Sequence, residues 1–161
     1  MRIIVKSVYG QVKVSRTAVT FNAKIAIFRP SERIIMQTLS SELQARAAKI
    51  RLLIMDVDGV LTDGRIFIRD NGEEIKSFHT LDGHGLKMLQ NSGVQTAIIT
   101  GRDAPSVGLR VKQLGINHYF KGIHDKRAAY AELRGLAGVA EDECAFIGDD
   151  VVDLPVMVRC G

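Results

Sequence analysis

The 161-residue sequence has no tryptophan, three prolines, three tyrosines and two cysteines. Cys144 and Cys160 provide no disulfide framework, so a small secreted scaffold is excluded and a reducing cytoplasm is the expected compartment. No apolar run approaches the roughly 20 residues that a membrane span needs, so no membrane partner is expected. A secretory apolar segment is missing too, because Asn22 and Lys24 interrupt "VTFNAKIAIF".

What is there is the composition of one soluble domain, 46% hydrophobic and 25% charged. The net charge of +4 is unevenly placed. Residues 1–35 carry seven Lys/Arg and one acid, Glu32, whereas residues 36–161 carry fifteen basic and seventeen acidic residues. The basic residues of the leader are scattered rather than clustered, so no nucleic-acid partner is expected. Met36 opens "MQTLSSELQARAAKIR", which reads as a helix from about residue 38 to 49. The expected organisation is therefore a basic leader, 1–35, read as sequence upstream of a natural start at Met36 or as a disordered extension, followed by one domain over 36–161.

The stretch "LLIMDVDGVLTDGR", residues 52–65, ends an apolar strand in three acids, Asp56, Asp58 and Asp63. Like charges so close repel, so a metal ion, a phosphoryl group or turn chemistry must make the crowding worthwhile. A calcium loop does not fit: counted from Asp56, position five is Val60, position twelve is Phe67, and a strand precedes the loop. Two short alternating segments around Asn71-Gly72 then predict a hairpin over 65–78. Further apolar strands follow at "VQTAIIT", "NHYFKG" and "CAFIGDD", separated by helical patterns at "LDGHGLKMLQNSG", "APSVGLRVKQLG" and "DKRAAYAELRGLAG", with another helix beginning at "VVDLPVMVRC".

Strands alternating with helices predict an α/β fold, a parallel sheet with helices on both faces. Ligands bind such sheets outside the carboxyl ends of the strands. There the chain places Asp56 and Asp58, then Thr100 with Arg102, then Lys126 at a helix start, then Asp149, Asp150 and Asp153. Each element has a bland reading alone: an Asx turn, a helix cap, a solvated lysine, an acidic helix start.

Together, D-x-D-G after the first strand, Thr100 after the second, Lys126 before a later helix and "GDDVVD" after the fourth resemble the four-motif signature of the haloacid-dehalogenase-type phosphatases. The resemblance implies a Rossmann-like domain and a magnesium-dependent phosphoric monoester hydrolase. Asp56 is then the nucleophile that forms an aspartyl-phosphate, and Asp58 the proton carrier. Magnesium is implied at the Asp56 carboxylate, the Asp58 backbone carbonyl and the Asp149 carboxylate, with Asp150 and Asp153 behind them. Thr100 and Lys126 are implied as holders of the remaining phosphoryl oxygens.

Many members carry a cap domain, yet 43 residues separate Asp56 from Thr100 and 25 separate Thr100 from Lys126, too few for one. Capless relatives close their sites by oligomerising. "MDVDGVLTDGRI", "NGEEIKSFHTLDGHGLKML", "AIITGR" and "IGDDVVDLPVM" resemble the tetrameric 3-deoxy-D-manno-octulosonate 8-phosphate phosphatases of lipopolysaccharide synthesis. That resemblance implies a homotetramer and a sugar-facing loop of His79, Thr80, Asp82 and Gly83. It also makes Lys87, Arg102 and Arg110 candidates for the substrate's carboxylate or phosphate. Leu81 stands where several relatives have Arg. A nine-carbon sugar acid phosphatase is the alternative with the same catalytic residues, and an idle tetramerisation module the alternative from another class. The domain is expected to lack its last strand and tail, which in the family help to close a neighbour's site, and so to bind magnesium yet turn over poorly.

Overall fold

A computed structural model describes residues 40–161, so the leader over 1–35 and the expected start at Met36 lie outside the described residues. The chain divides into two units, Met1–Lys49 and Ile50–Gly161. In the first, helix α1 (Ser41–Lys49) begins where the Ser40 hydroxyl accepts the Leu43 N–H at 3.2 Å, and none of its residues is buried.

In the second unit, strands β1 (Leu52–Met55), β4 (Gln95–Ile99), β5 (His118–Phe120) and β6 (Cys144–Ile147) form one parallel sheet in the order β5-β4-β1-β6. Between β1 and β4 the chain makes a hairpin, β2 (Phe67–Ile68) with β3 (Glu74–Ile75), and helix α2 (Thr80–Asn91). Helices α3 (Pro105–Leu114) and α4 (Lys126–Ala137) connect the later strands.

Near-continuous apolar strands are what a sheet covered on both faces requires. Leu52, Ile54, Ala97 and Ile99 face Ala129, Tyr130 and Leu133 of α4. Met55 and Ile98 face Leu86 of α2 and Val107 and Leu114 of α3. All of these side chains are buried. The alternation along β1 and β4 therefore serves two cores rather than a core and solvent.

The Asn71-Gly72 signal is a real turn. Gly72 takes φ +83°, its N–H donates to Arg69 O at 2.8 Å, and the Asn71 side chain accepts the Glu73 N–H at 3.0 Å. The helix expected at 151–160 differs. It starts as a 3-10 turn, Val151–Asp153, and continues as a four-residue helix, α5 (Leu154–Met157). The Asp150 carboxylate caps the turn by accepting the Val151 N–H at 2.6 Å, and Pro155 fits the first turn, where an N–H has no partner.

The chain visits β1, β4 and β5 on one side and then returns to place β6 on the other side of β1. The carboxyl ends of β1 and β6 thus flank the point where the winding reverses, which is where open α/β sheets leave a crevice.

Candidate active site

Asp56 is the first residue past β1, and its N–H continues the ladder to Ile147 O at 3.0 Å. The loop then turns sharply, with Val57 O accepting the N–H groups of Val60, Leu61 and Thr62. The Thr62 hydroxyl accepts the Gly59 and Gly64 N–H groups at 3.3 and 3.2 Å. Gly59 sits at φ +83°, and a Cβ there would overlap the Asp149 carboxylate. The glycine of D-x-D-G is needed because two loops from neighbouring strands touch at that position.

Asp153 organises the loop after β6. One carboxylate oxygen accepts the Asp149 and Asp150 N–H groups at 3.1 and 3.2 Å, and the other takes the Lys126 ammonium at 2.6 Å. Lys126 opens α4 behind Asp125, which accepts the Arg127 N–H at 3.1 Å. The Arg127 side chain and backbone hold the Asp125 carboxyl down at about 2. From there the Lys126 ammonium, buried over the Phe146 ring, reaches 3.2 Å from Asp56 Oδ1.

Carboxylate oxygens of Asp56, Asp149 and Asp153 lie within 4.8 Å of one another. The oxygens of Asp153 are already engaged, which leaves Asp56 and Asp149 as the carboxylates free to hold a cation. Asp56 Oδ1 is buried and receives no well-directed hydrogen bond, despite the nearby ammonium. Burial raises the Asp56 carboxyl above its ordinary range, and the Lys126 charge opposes that. Burial also raises Asp149, and the neighbouring Asp153 and Asp150 add to it. In both, burial is the largest cause, and the like charge of Asp153 adds to it.

Thr100 follows β4 at the same end of the sheet. It is buried, its N–H donates to Phe120 O at 3.0 Å, and its hydroxyl accepts the Arg102 N–H at 3.3 Å. Asp58 is engaged by cations on both oxygens. Lys76, just beyond β3, donates to Oδ1, and Arg102 Nε stands 3.5 Å from Oδ2. Glu74 completes the group, 2.8 Å from Arg102 Nη1 and 3.7 Å from Lys76 Nζ.

A buried lysine, two buried aspartates and an exposed one around the reversal point of a parallel sheet have counterparts in known proteins. The haloacid dehalogenase-like hydrolase model matches residues 66–161. The chain belongs to that family. Over 119 residues it is 46% identical to the 3-deoxy-D-manno-octulosonate 8-phosphate phosphatase KdsC of Haemophilus influenzae, covering 74% of this chain and 66% of that protein. The chain spans about two thirds of the length of the curated relatives it matches, 65–66% for those from Haemophilus influenzae and Escherichia coli. The crystal structure of the Yersinia pestis 3-deoxy-D-manno-octulosonate 8-phosphate phosphatase superposes with a TM-score of 0.75 at 44% identity, covering 77% of this chain and 67% of that one. The Moraxella catarrhalis phosphatase, solved with magnesium, phosphate and 3-deoxy-D-manno-octulosonate, gives 0.73 at 42% identity, covering 76% and 71%.

In this hydrolase-family chain the remaining candidate residues are spread over two helices. His79 caps α2, its Nδ1 accepting the Leu81 N–H at 3.1 Å, and exposed Thr80 and half-buried Asp82 follow in the first turn. Arg110 of α3 donates to His79 O at 3.2 Å and lies 5.7 Å from the centre of the Phe78 ring. Gly83 is buried beneath it, because a Cβ there would come 2.6 Å from Arg110 Nη2. Arg110 thus ties α3 to the start of α2. Lys87 points elsewhere: its ammonium lies by Gly115, the C-cap of α3, at the end of the sheet opposite Asp56.

Sequence reasoning missed Lys76. The signal was available as strand alternation, since Glu74, Lys76 and Phe78 turn inward while Ile75 and Ser77 stay exposed.

Proposed function

We propose that this chain is a magnesium-dependent phosphomonoesterase acting on 3-deoxy-D-manno-octulosonate 8-phosphate, in the cytoplasm and on the route to lipopolysaccharide precursors. The observation that carries the reading is the Lys126 ammonium, held at 2.6 Å by Asp153 and aimed at Asp56 from 3.2 Å. A lysine so fixed beside a carboxylate suits a site that must hold a phosphoryl group against its nucleophile. The relatives named for this activity support the substrate.

Asp56 attacks phosphorus, the bond to the sugar oxygen breaks, and Asp58 delivers its proton to that oxygen. Asp58 then takes a proton from the water that attacks the aspartyl-phosphate, which releases phosphate and restores Asp56. Lys126 and Thr100 hold the equatorial oxygens and stabilise the charge spread over them. Arg102, exposed at the rim, suits the substrate carboxylate.

The residues present fit magnesium. The donors are hard oxygens, Asp56 Oδ1 is buried without a directed hydrogen bond, and Asp149 stands close by. Asp56, Asp149 and the Asp58 carbonyl would hold the ion. When bound, it neutralises the crowded carboxylates and polarises the phosphoryl oxygens.

A homotetramer accompanies this reading. Among the described residues no cap domain covers the site, and the hairpin presents Ile66, Phe67, Ile68 and Ile75 to solvent, with Phe67 48% and Ile68 68% exposed. Apolar surface of that kind on a two-stranded ribbon suits packing against further copies of the chain.

Phosphate release tests the proposal. The substrates are 3-deoxy-D-manno-octulosonate 8-phosphate, a nine-carbon keto-acid phosphate and pyrophosphate, each with magnesium and with chelator. Turnover should favour the eight-carbon ester, need the metal, and fall roughly 10⁴-fold or more in Asp56→Asn. Unchanged turnover in that variant would refute the assignment.

A further inference from the structure

We infer that Lys76 is a positioning residue for Asp58: the hairpin delivers a buried ammonium that claims one oxygen of the proton carrier and leaves the other to carry the mobile proton. The inference rests on the phosphatase reading above.

Among the described residues the buried charged side chains are Asp56, Lys76, Lys126 and Asp153. Three of them form the nucleophile's surroundings, and Lys76 is the fourth, its side chain 2% exposed. Removing an ammonium from water costs several kcal/mol unless it is well paired. The adjoining strands do not require this burial, because Phe67, Ile68 and Ile75 lie at the surface. What the burial achieves is contact with Asp58, eighteen residues earlier in the chain. Each of the two motif carboxylates therefore has its own buried ammonium, brought by an element other than β1: Lys126 from α4 for Asp56, and Lys76 from the hairpin for Asp58.

The two oxygens of Asp58 are held unequally. Oδ1 takes the Lys76 ammonium directly, whereas Oδ2 has Arg102 Nε at 3.5 Å, and that guanidinium is anchored more closely to Glu74, at 2.8 Å. With Oδ1 occupied as an acceptor, Oδ2 is the oxygen that bears the hydrogen in the acid form. In the first half-reaction the Oδ2 hydrogen passes to the departing sugar oxygen as its bond to phosphorus breaks. In the second, Oδ2 takes a proton from the attacking water. Lys76 keeps its own protons throughout, so its effect on proton transfer runs through Asp58.

This makes the effect of Lys76 depend on the leaving group. A sugar alkoxide needs a proton, whereas p-nitrophenolate departs without one. The test compares kcat/KM for 3-deoxy-D-manno-octulosonate 8-phosphate and p-nitrophenyl phosphate, a ratio that reports phosphoryl transfer to Asp56 and not the later hydrolysis. Lys76→Met should lose on the order of 10- to 100-fold on the sugar ester and less than about threefold on the aryl ester. The double variant Lys76→Met/Glu74→Gln removes one charge of each sign, and it should show the same selective loss with a melting temperature close to the parent's. Equal losses on both esters, recovery of sugar-ester activity in the double variant, or failure of both variants to fold would each overturn the role and mark Lys76 as a structural anchor. A parent active on both esters confines such a failure to Lys76. A parent inactive on both overturns the phosphatase reading and this role with it.

Discussion

The Asp153 carboxylate and the Lys126 ammonium meet at 2.6 Å, with side-chain exposures of 0% and 2%. The same carboxylate accepts two backbone N–H groups of the loop that carries Asp149, so one side chain fixes both a cation and a candidate metal ligand. Asp153→Ala leaves Lys126 with Asp56 alone and frees that loop. Such a loss should destabilise the protein by about 3–5 kcal/mol, measured by urea unfolding. Turnover should fall as well, although Asp153 itself touches no reacting atom.

Gly59 and Asp149 define a second close approach. A methyl group at Gly59 would overlap the Asp149 carboxylate, and the φ of +83° is strained for any residue with a Cβ. Gly59→Ala should therefore weaken magnesium binding by roughly 5- to 150-fold by titration calorimetry, the equivalent of the about 1–3 kcal/mol that such a backbone costs. Gly85→Ala provides the contrast: it lies within α2 with nothing within 4 Å of the added methyl. That change should stabilise the helix by up to about 1 kcal/mol and leave metal binding alone.

The raised Asp56 and Asp149 carboxyls predict how stability depends on pH without metal. An acid raised in the folded state binds more protons folded than unfolded. Stability is therefore greatest below the unfolded value of 3.8, falls as pH rises through the folded value, and stays reduced above it. With chelator present, Asp56→Asn should become more stable relative to the parent as pH rises from 4 through the carboxyl range. Magnesium should reverse the order above that range, because it binds the parent's ionised carboxylates. Denaturant unfolding at several pH values, with and without the metal, reads both effects.

Assembly gives a further test. Phe67 and Ile75 pair across the hairpin and are 48% and 40% exposed. Phe67→Asp should shift the protein toward smaller species in light scattering coupled to size exclusion. Magnesium affinity should be retained, since no candidate ligand lies on the hairpin. An unchanged mass would place the subunit contacts elsewhere.

Much of this was legible in the chain. Apolar stretches closing just before Asp56, Thr100 and Gly148-Asp149 located three of the four parallel strands, because strands covered on both faces are largely apolar. Gly72, Gly115 and Gly138 marked a turn and two helix ends where a left-handed residue was needed. Less legible were charged residues on helix and loop surfaces. Lys87, Arg102 and Arg110 look alike as sequence, yet one lies by the far end of α3, one joins the Asp58 group and one binds the start of α2. Their destinations depend on how whole elements pack, which residue type does not encode.

By itself, the sequence determined the elements, their order and which segments end in acids, a hydroxyl or a lysine, because periodicity and turn chemistry act over a few neighbouring residues. Only the tertiary structure decided that Asp153 holds both Lys126 and the Asp149 loop, and that Lys76 is buried against Asp58. Those pairings join residues 27 and 18 positions apart, and each forms only when separate elements fold onto the end of one sheet and exclude water there.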